Sequence, residues 1–446
     1  MIVALEGIFF FSLATFCAAI TGNIIALPAI YGLFNVIFIV FEYLIKVVVA
    51  QVSFGASQYM YTMKTEILTP IYWLSDAQIK LIDSSGNIAQ KYTDIAGMRY
   101  NCMGYLICCA VVGLILAAIS IAIIRYRHME TATDVISVKC LLPVFRYGAA
   151  FGSSLALGEA VYMIFFQGET NFEAAKLAVF LVLFCIVGYF AAEMLVQKSF
   201  RVFSKWKGAL AAALVVILFM AGLSFDVFGI EKKVPAEDKV AYAVVSVYDE
   251  TAQLSTAEGI KGVTELHKKM IDNKEFIKNY DQQYNCCYLN IMYFDEDGGI
   301  ILRRQYCVPV IGTGREDELR RDIESLLNSD EAVESRLHTD ILDDPRMIDF
   351  MSVNWRYEED YQDISLDREQ IEHIVSECMI PDIKDGNLGK IDLRDHFRDD
   401  LPRTELNYSF KNDVAYYSYS NITVPAEATR TTEYINELAN QVESGI

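Results

Sequence analysis

Residues 100–124 read YNCMGYLICCAVVGLILAAISIAII, 25 positions without one charge between Arg99 and Arg125. A hydrocarbon layer about 30 Å thick is crossed by about 20 helical residues at 1.5 Å each. This stretch is long enough, and no aqueous helix needs to be apolar on every side. Working outward, five more apolar stretches occur, at 2–20, 26–51, 142–166, 175–197 and 208–225. A buried soluble helix can imitate one such run but not six. The pattern predicts an α-helical polytopic membrane bundle of six transmembrane helices. The second stretch exceeds the required length, and Pro28 near its start predicts a bent or interfacial opening turn.

Charge divides the 446 residues in two. Residues 1–225 carry 14 Lys and Arg against 12 Asp and Glu, whereas 226–446 carry 24 against 46, a net of −22. The first part has a membrane composition and the second that of an acidic soluble domain. The expected organisation is therefore a transmembrane domain over 1–225 and an acidic extracytoplasmic α+β domain over 226–446. A cytosolic globular enzyme is excluded, and the acidic excess argues against a nucleic-acid partner.

Orientation follows from Lys and Arg in short loops. Segment 125–141 holds Arg125, Arg127 and Lys139, with Arg146 just beyond, and 198–207 holds Lys198, Arg201, Lys205 and Lys207. Segment 167–174 (QGETNFEA) has none, and 52–99 has only Lys64, Lys80, Lys91 and Arg99. Both basic loops are expected in the cytoplasm, which puts 52–99, the tail from 226 and Met1 outside. An N-terminus reading MIVALEGIFFFS lacks the basic region of a secretory signal. Either spans are missing ahead of it, or the first helix is a true N-out helix.

Within the spans, Thr21-Gly22-Asn23 forces a tight helical hairpin. Gly148, Ala149, Ala150, Gly152, Ser153, Ser154 and Gly158 permit close helix packing in the fourth span. Glu159 lies among them, deep enough to be costly if it faces lipid. It is a candidate for a pathway or interhelix polar contact, the alternative being a hydrogen-bonded packing residue. Glu193 and Glu42 lie near span ends, where Lys198 and Lys46 are expected as structural partners. In segment 52–99, Thr69-Pro70 opens a predicted amphipathic interfacial helix, IYWLSDAQIKLI (71–82), broken at Ser84-Ser85-Gly86-Asn87.

The tail reads as α+β, with Pro235 in a linker. A strand is expected at 239–248 and a helix over 256–280. A hairpin of 287–294 and 299–308 is expected to turn on Asp295-Glu296-Asp297-Gly298. Helices are expected at 315–328, at 368–379 behind the Asp367/Gln370 capping signature, and near 426–443. Strands are expected at 405–411 and 414–421. At about 220 residues the tail can bury its own core, as one domain or two small ones.

Chemical motifs are sparse. DEDGG opens like a calcium loop but lacks the third ligand and the distal Glu, so a turn is expected. His373 and Glu377 share a helical spacing without a second His to complete a zinc site. His128, His267, His338 and His396 read as surface residues. Cys286, Cys287, Cys307 and Cys378 could include one disulfide, with no framework spacing to choose it. Cys17, Cys102, Cys108, Cys109, Cys140 and Cys185 lie in or beside spans as small apolar residues. No HExxH, GxSxG or GxxxxGK[ST] occurs, so no catalytic residue, metal ligand, cofactor or nucleotide site is assigned, and energy-driven work would need a partner.

Two junctions carry a family resemblance. The turn ITGNIIALPAIYG (20–32) and the exit FDVFGIEKKVPAEDKVAYAVV (225–245) resemble those of ABC-2-type permeases, the membrane subunits of ATP-binding-cassette exporters. The similar subfamily is Gram-positive and has an extra extracytoplasmic C-terminal domain. The resemblance implies three spans ahead of residue 1. Stretches 2–20, 26–51 and 100–124 would then be the fourth to sixth of a six-span core, and the last three an accessory set. It also implies a separate ABC ATPase subunit and a second permease subunit, in a homo- or heterodimer. The lost first half would contain the cytoplasmic elements that contact the ATPase, so the chain reads as an N-terminally truncated copy. The alternative is a membrane-anchored extracytoplasmic binding or sensor protein without transport activity; a membrane enzyme would require polar clusters that only Glu159 approaches.

Overall fold

Apolar side chains without breakers form helices whose backbone groups are satisfied internally, the condition for crossing a bilayer. The computed structural model describes residues 1–56, 64–75, 79–84, 95–126, 134–166, 174–280, 286–357, 360–397, 403–411 and 420–444. Among these, six helices are long and apolar enough to cross a membrane. They are α1 (Ile2–Ile20), α2 (Ala26–Val52), α4 (Met103–Tyr126), the segment Lys139–Phe165, α7 (Ala174–Gln197) and α8 (Trp206–Ser224). Their outward faces are apolar: Leu114, Ile121 and Val179 are each at least 60% exposed. Such a surface suits lipid and would aggregate in water. The chain divides into two units, Met1–Ser53 with Gln58–Phe228, and Phe54–Ser57 with Gly229–Ile446.

In the first unit α1 and α4 pack along their lengths around Phe9, Leu13, Cys17 and Cys109. Gly113 makes this approach feasible, because a Cβ there would stand 2.9 Å from Phe9 Cα and 3.1 Å from Ile8 O. Backbone atoms cannot move aside as a side chain can. Gly113→Ala is expected to cost about 1–3 kcal/mol by overpacking. A lowered thermal midpoint of the full-length protein in detergent checks this; an unchanged midpoint refutes the close approach.

The fourth apolar segment is interrupted. Helix α5 (Leu142–Ser153) passes through a π-helical turn at Ser154–Gly158 into α6 (Glu159–Phe165). Ser153 and Ser154 donate to the carbonyls of Phe184 and Leu181 on α7, at 2.9 and 2.7 Å. The small-residue run thus becomes a hydrogen-bonded helix contact.

Between α2 and α4 the structure departs from the expected interfacial helix. Helix α3 covers only Pro70–Ser75, and Ile79–Ile82 is a strand, β1, paired antiparallel with β2 (Gly97–Tyr100). A lone twelve-residue helix is marginal, whereas the hairpin satisfies backbone groups along both strands. The expected break at Ser84–Asn87 lies outside the described residues except for Ser84. So do His128 and most of the 167–174 loop and 414–421 strand.

The second unit contains one chain pattern twice. In the first copy come β3 (Tyr242–Val247), β4 (Glu250–Leu254), α9 (Ala257–Asp272), the short α10 (Lys274–Asn279), β5 (Cys286–Phe294), β6 (Ile300–Pro309) and α11 (Arg315–Leu327). After α12 (Asp330–Leu337) and α13 (Thr339–Leu342), the second has β7 (Ile348–Tyr357), β8 (Asp360–Ser365), α14 (Arg368–His373) leading through a π turn into α15 (Ile380–Lys384), β9 (Arg403–Phe410), β10 (Ser420–Thr423) and α16 (Thr429–Ser444). The sheets are antiparallel, in orders β4-β3-β5-β6 and β8-β7-β9-β10, so each copy is ββαββα with the same topology. Each also has its own core, around Val245, Leu289 and Ile323 in one and Val353, Leu406 and Ile435 in the other.

Local chemistry explains most boundaries. Thr256 caps α9 through a bond from Gly259 N, and Asp367 with Gln370 forms a complete capping box for α14. Asp295 organises the β5–β6 turn by accepting from Asp297 N and Gly299 N, so DEDGG is a turn. Asn273 ends α9, splitting the single helix expected over 256–280. Buried Asp382 accepts from Thr431 N and Oγ1 at 2.9 and 2.8 Å, holding the start of α16.

Candidate functional site

Glu159 begins α6 directly after the π turn and is 7% exposed. Gln51, from the end of α2, donates through Nε2 to Glu159 Oε1 at 3.0 Å. The same amide nitrogen lies 3.6 Å from Met163 Sδ. A π turn inserts one residue per turn and rotates the helix beyond it, here turning the carboxylate toward α2. A side-chain hydrogen bond to Glu159 thus links two segments 108 residues apart.

A second polar pair differs from the sequence expectation in its partner. Glu193 on α7 is fully buried, and its partner is Arg146 of α5 at 3.2 Å, with Gln197 Nε2 donating at 3.1 Å. Lys198, the expected partner, instead reaches Asp134 at 2.7 Å, so the Glu193–Lys198 assignment is corrected. The reason is direction: Lys198 lies past the helix end at φ 50°, while Arg146 stands across from Glu193 on an antiparallel helix. Both lie four residues from their helix ends, and this matched depth was the available signal. Glu42 does pair with Lys46, and also accepts from Lys64 N, Thr65 N and Thr65 Oγ1 at 2.8, 2.6 and 2.6 Å.

The turn between α1 and α2 carries further polar contacts. Gly22 N donates to Asp134 O and Ser137 N to Ile20 O, each at 2.8 Å. Lys198 binds the same Asp134. The Thr21–Asn23 turn and the two basic connections therefore gather at one end of this unit.

The second unit buries a polar cluster under its first sheet. His267 is fully buried, correcting its expected surface position. It lies on the core face of α9, with Ile260, Val263 and Met270. Its Nδ1 lies 3.1 Å from Tyr293 Oη, and its Nε2 has no hydrogen-bond partner among the described residues. Burial, reinforced by the charge of Arg304, holds the imidazole pKa down at about 3, so it is neutral. Arg304, 1% exposed, donates to the carbonyls of Ile230 and Lys233. Glu231 pairs with Lys274 and accepts from Phe54 N at 2.8 Å. Gln305 N on edge strand β6 donates to Gly55 O at 3.1 Å. Arg304 thus ties the chain after residue 229 to the sheet, Gln305 ties Gly55 to it, and Glu231 joins the two segments through Phe54 N.

Other sequence candidates separate. His396 is exposed and stacks on Tyr248 with ring centroids 3.9 Å apart, whereas half-buried His338 holds a left-handed turn at φ 51°. His373 and Glu377 are both exposed, and the π turn Ile374–Met379 removes their regular four-residue spacing. Among the described residues no three His, Cys, Asp or Glu side chains gather to hold a metal. A groove of about 630 Å³ between α9 and α11 is edged by Glu258, Glu265, Asp322 and Glu331, with Lys269 bonded to Asp322 at 2.6 Å. Glu331 is occupied in binding Ser255 N and Thr256 N at 2.6 and 2.8 Å, so its role there is to close the α9 entry.

No family model, curated protein or solved structure matches this chain.

Proposed function

We propose that this chain is a membrane-spanning permease component of an ATP-binding-cassette export system, driven by a separate ATPase subunit, with the acidic tail on the extracytoplasmic side. The observation that carries the reading is a set of six apolar helices joined by internal polar contacts, Glu159 to Gln51 and Glu193 to Arg146. A simple anchor needs one or two spans and gains nothing from charges in their interior, which are costly in hydrocarbon unless they serve a pathway or a specific packing. The excess of Lys and Arg in 125–141 and 198–207 supports cytoplasmic placement of those loops, and hence an outer tail. The clustering of both with the Thr21–Asn23 turn agrees with a shared side. The sequence contains no phosphate-binding GxxxxGK[ST] loop, so nucleotide hydrolysis is assigned to the partner.

Purification from native membranes in mild detergent, followed by mass spectrometry, tests the assignment. An ATPase subunit in stoichiometric amount, alone or with a second permease, is the expected result. Its clean absence from an intact preparation overturns the permease and favours the membrane-anchored binding or sensor protein. Orientation has its own test in a cysteine-depleted background on intact cells. Glu427→Cys is expected to react with an impermeant maleimide and Ser204→Cys is not. The reverse pattern would invert the topology.

A further inference from the structure

The β5–β6 ladder sets Cys286 opposite Pro309 and Tyr288 opposite Cys307. Cross-strand partners share a face, and so do residues two apart, so Cys286 and Cys307 are diagonal neighbours on one face of the sheet. The two thiols are neighbours there, and that of Cys286 holds the Cys307 thiol below its ordinary range. Both are half-buried, within reach of a reagent from solution. The other two candidates are not. Cys287 points to the opposite, core face beside Val308, fully buried, and burial pushes its thiol up to about 12. Cys378 lies in the core of the second copy, where burial raises it to about 11.

We propose that Cys286 and Cys307 are a disulfide-forming pair, closed by exchange with a protein or low-molecular-weight disulfide. The Cys307 thiolate attacks one sulfur of that external disulfide, forming a mixed disulfide and releasing one thiolate. The Cys286 sulfur, its proton passing to solvent, then attacks the Cys307 sulfur and displaces the second. Two protein thiols lose two electrons and two protons, and the external disulfide is reduced to two thiols. The bond bolts β6 to β5. Because β6 is the edge strand that binds Gly55 O through Gln305 N, the bolt also secures the strand that holds Gly55. Its formation in the cell rests on the outward placement of the tail proposed above, since disulfides persist in oxidising compartments.

The full-length protein, purified reduced in detergent and treated with oxidised glutathione, is expected to yield a Cys286–Cys307 cross-linked peptide by mass spectrometry. Cys287 and Cys378 should stay open to alkylation after denaturation. Reduction should then lower the thermal midpoint by about 5 °C in the wild type and leave a Cys286→Ser, Cys307→Ser double variant unmoved. Failure of the cross-link to form, or its appearance at Cys287 instead, overturns the pair. Acid-quenched cells separate the two proposals. The cross-link in cells supports both the pair and the outward tail. Thiols in cells, with the cross-link forming readily in the purified protein, sustain the pair and reject the outward placement.

Discussion

Glu193→Leu, with Arg146 left in place, is expected to destabilise the membrane unit by about 3 kcal/mol, near a 10 °C fall in the thermal midpoint of the detergent-solubilised chain. Glu193 has no exposed surface and Arg146 about a quarter of its side chain, so the substitution strands a guanidinium between α5 and α7. Hydrocarbon and neighbouring Ala192 offer it no replacement. The cost comes from the orphaned charge rather than the lost attraction. Adding Arg146→Met should therefore restore most of the midpoint, because an apolar pair of similar volume needs no counter-charge. Two additive losses in the double variant would show that the side chains act separately and refute the pairing. The Arg146 stem can also bend its head toward the helix end, which is why the lower end of the usual range is expected.

The second large effect is acid sensitivity of the tail. His267 is neutral in the fold, with its pKa depressed to about 3 by burial first and Arg304 next. In the unfolded chain it titrates near 6.5. Above pH 6.5 neither state binds the proton and the group contributes no pH slope. Below it the unfolded chain gains a proton that the fold refuses, so stability falls as pH drops from about 6.5 toward 3. By pH 5 the loss is about 2 kcal/mol. His267→Gln should lose roughly 1 kcal/mol at pH 7.5 with the Tyr293 contact weakened, yet change less between pH 7.5 and 5 than the wild type. Pulse proteolysis of the full-length chain across a urea series reads both. Equal acid shifts in wild type and variant would mean that carboxylates alone set the slope.

Much of the architecture is legible in residue order. Spans announce themselves because lipid makes the same demand at every position of a helix. The Asp367/Gln370 cap and the Asp295 turn are legible because each is completed within four residues. The duplicated ββαββα pattern is not. Strands β4, β7 and β8 are defined by their neighbours in the ladder, and the 79–82 segment becomes a strand only because Gly97–Tyr100 pairs with it. His267 is buried because α9 turns that face onto the sheet, a fact that its charged neighbours Lys268 and Lys269 conceal.

The order of residues alone therefore dictates an apolar helical half, an acidic α+β half, and carboxylates in costly places. It does not choose their partners. Glu159 meets Gln51, Glu193 meets Arg146, and Cys286 meets Cys307 instead of Cys287. Those choices depend on which helix faces oppose and on which side of a pleat a residue falls. One step of register or one π turn reverses them, whereas hydrophobicity summed along a segment is insensitive to either.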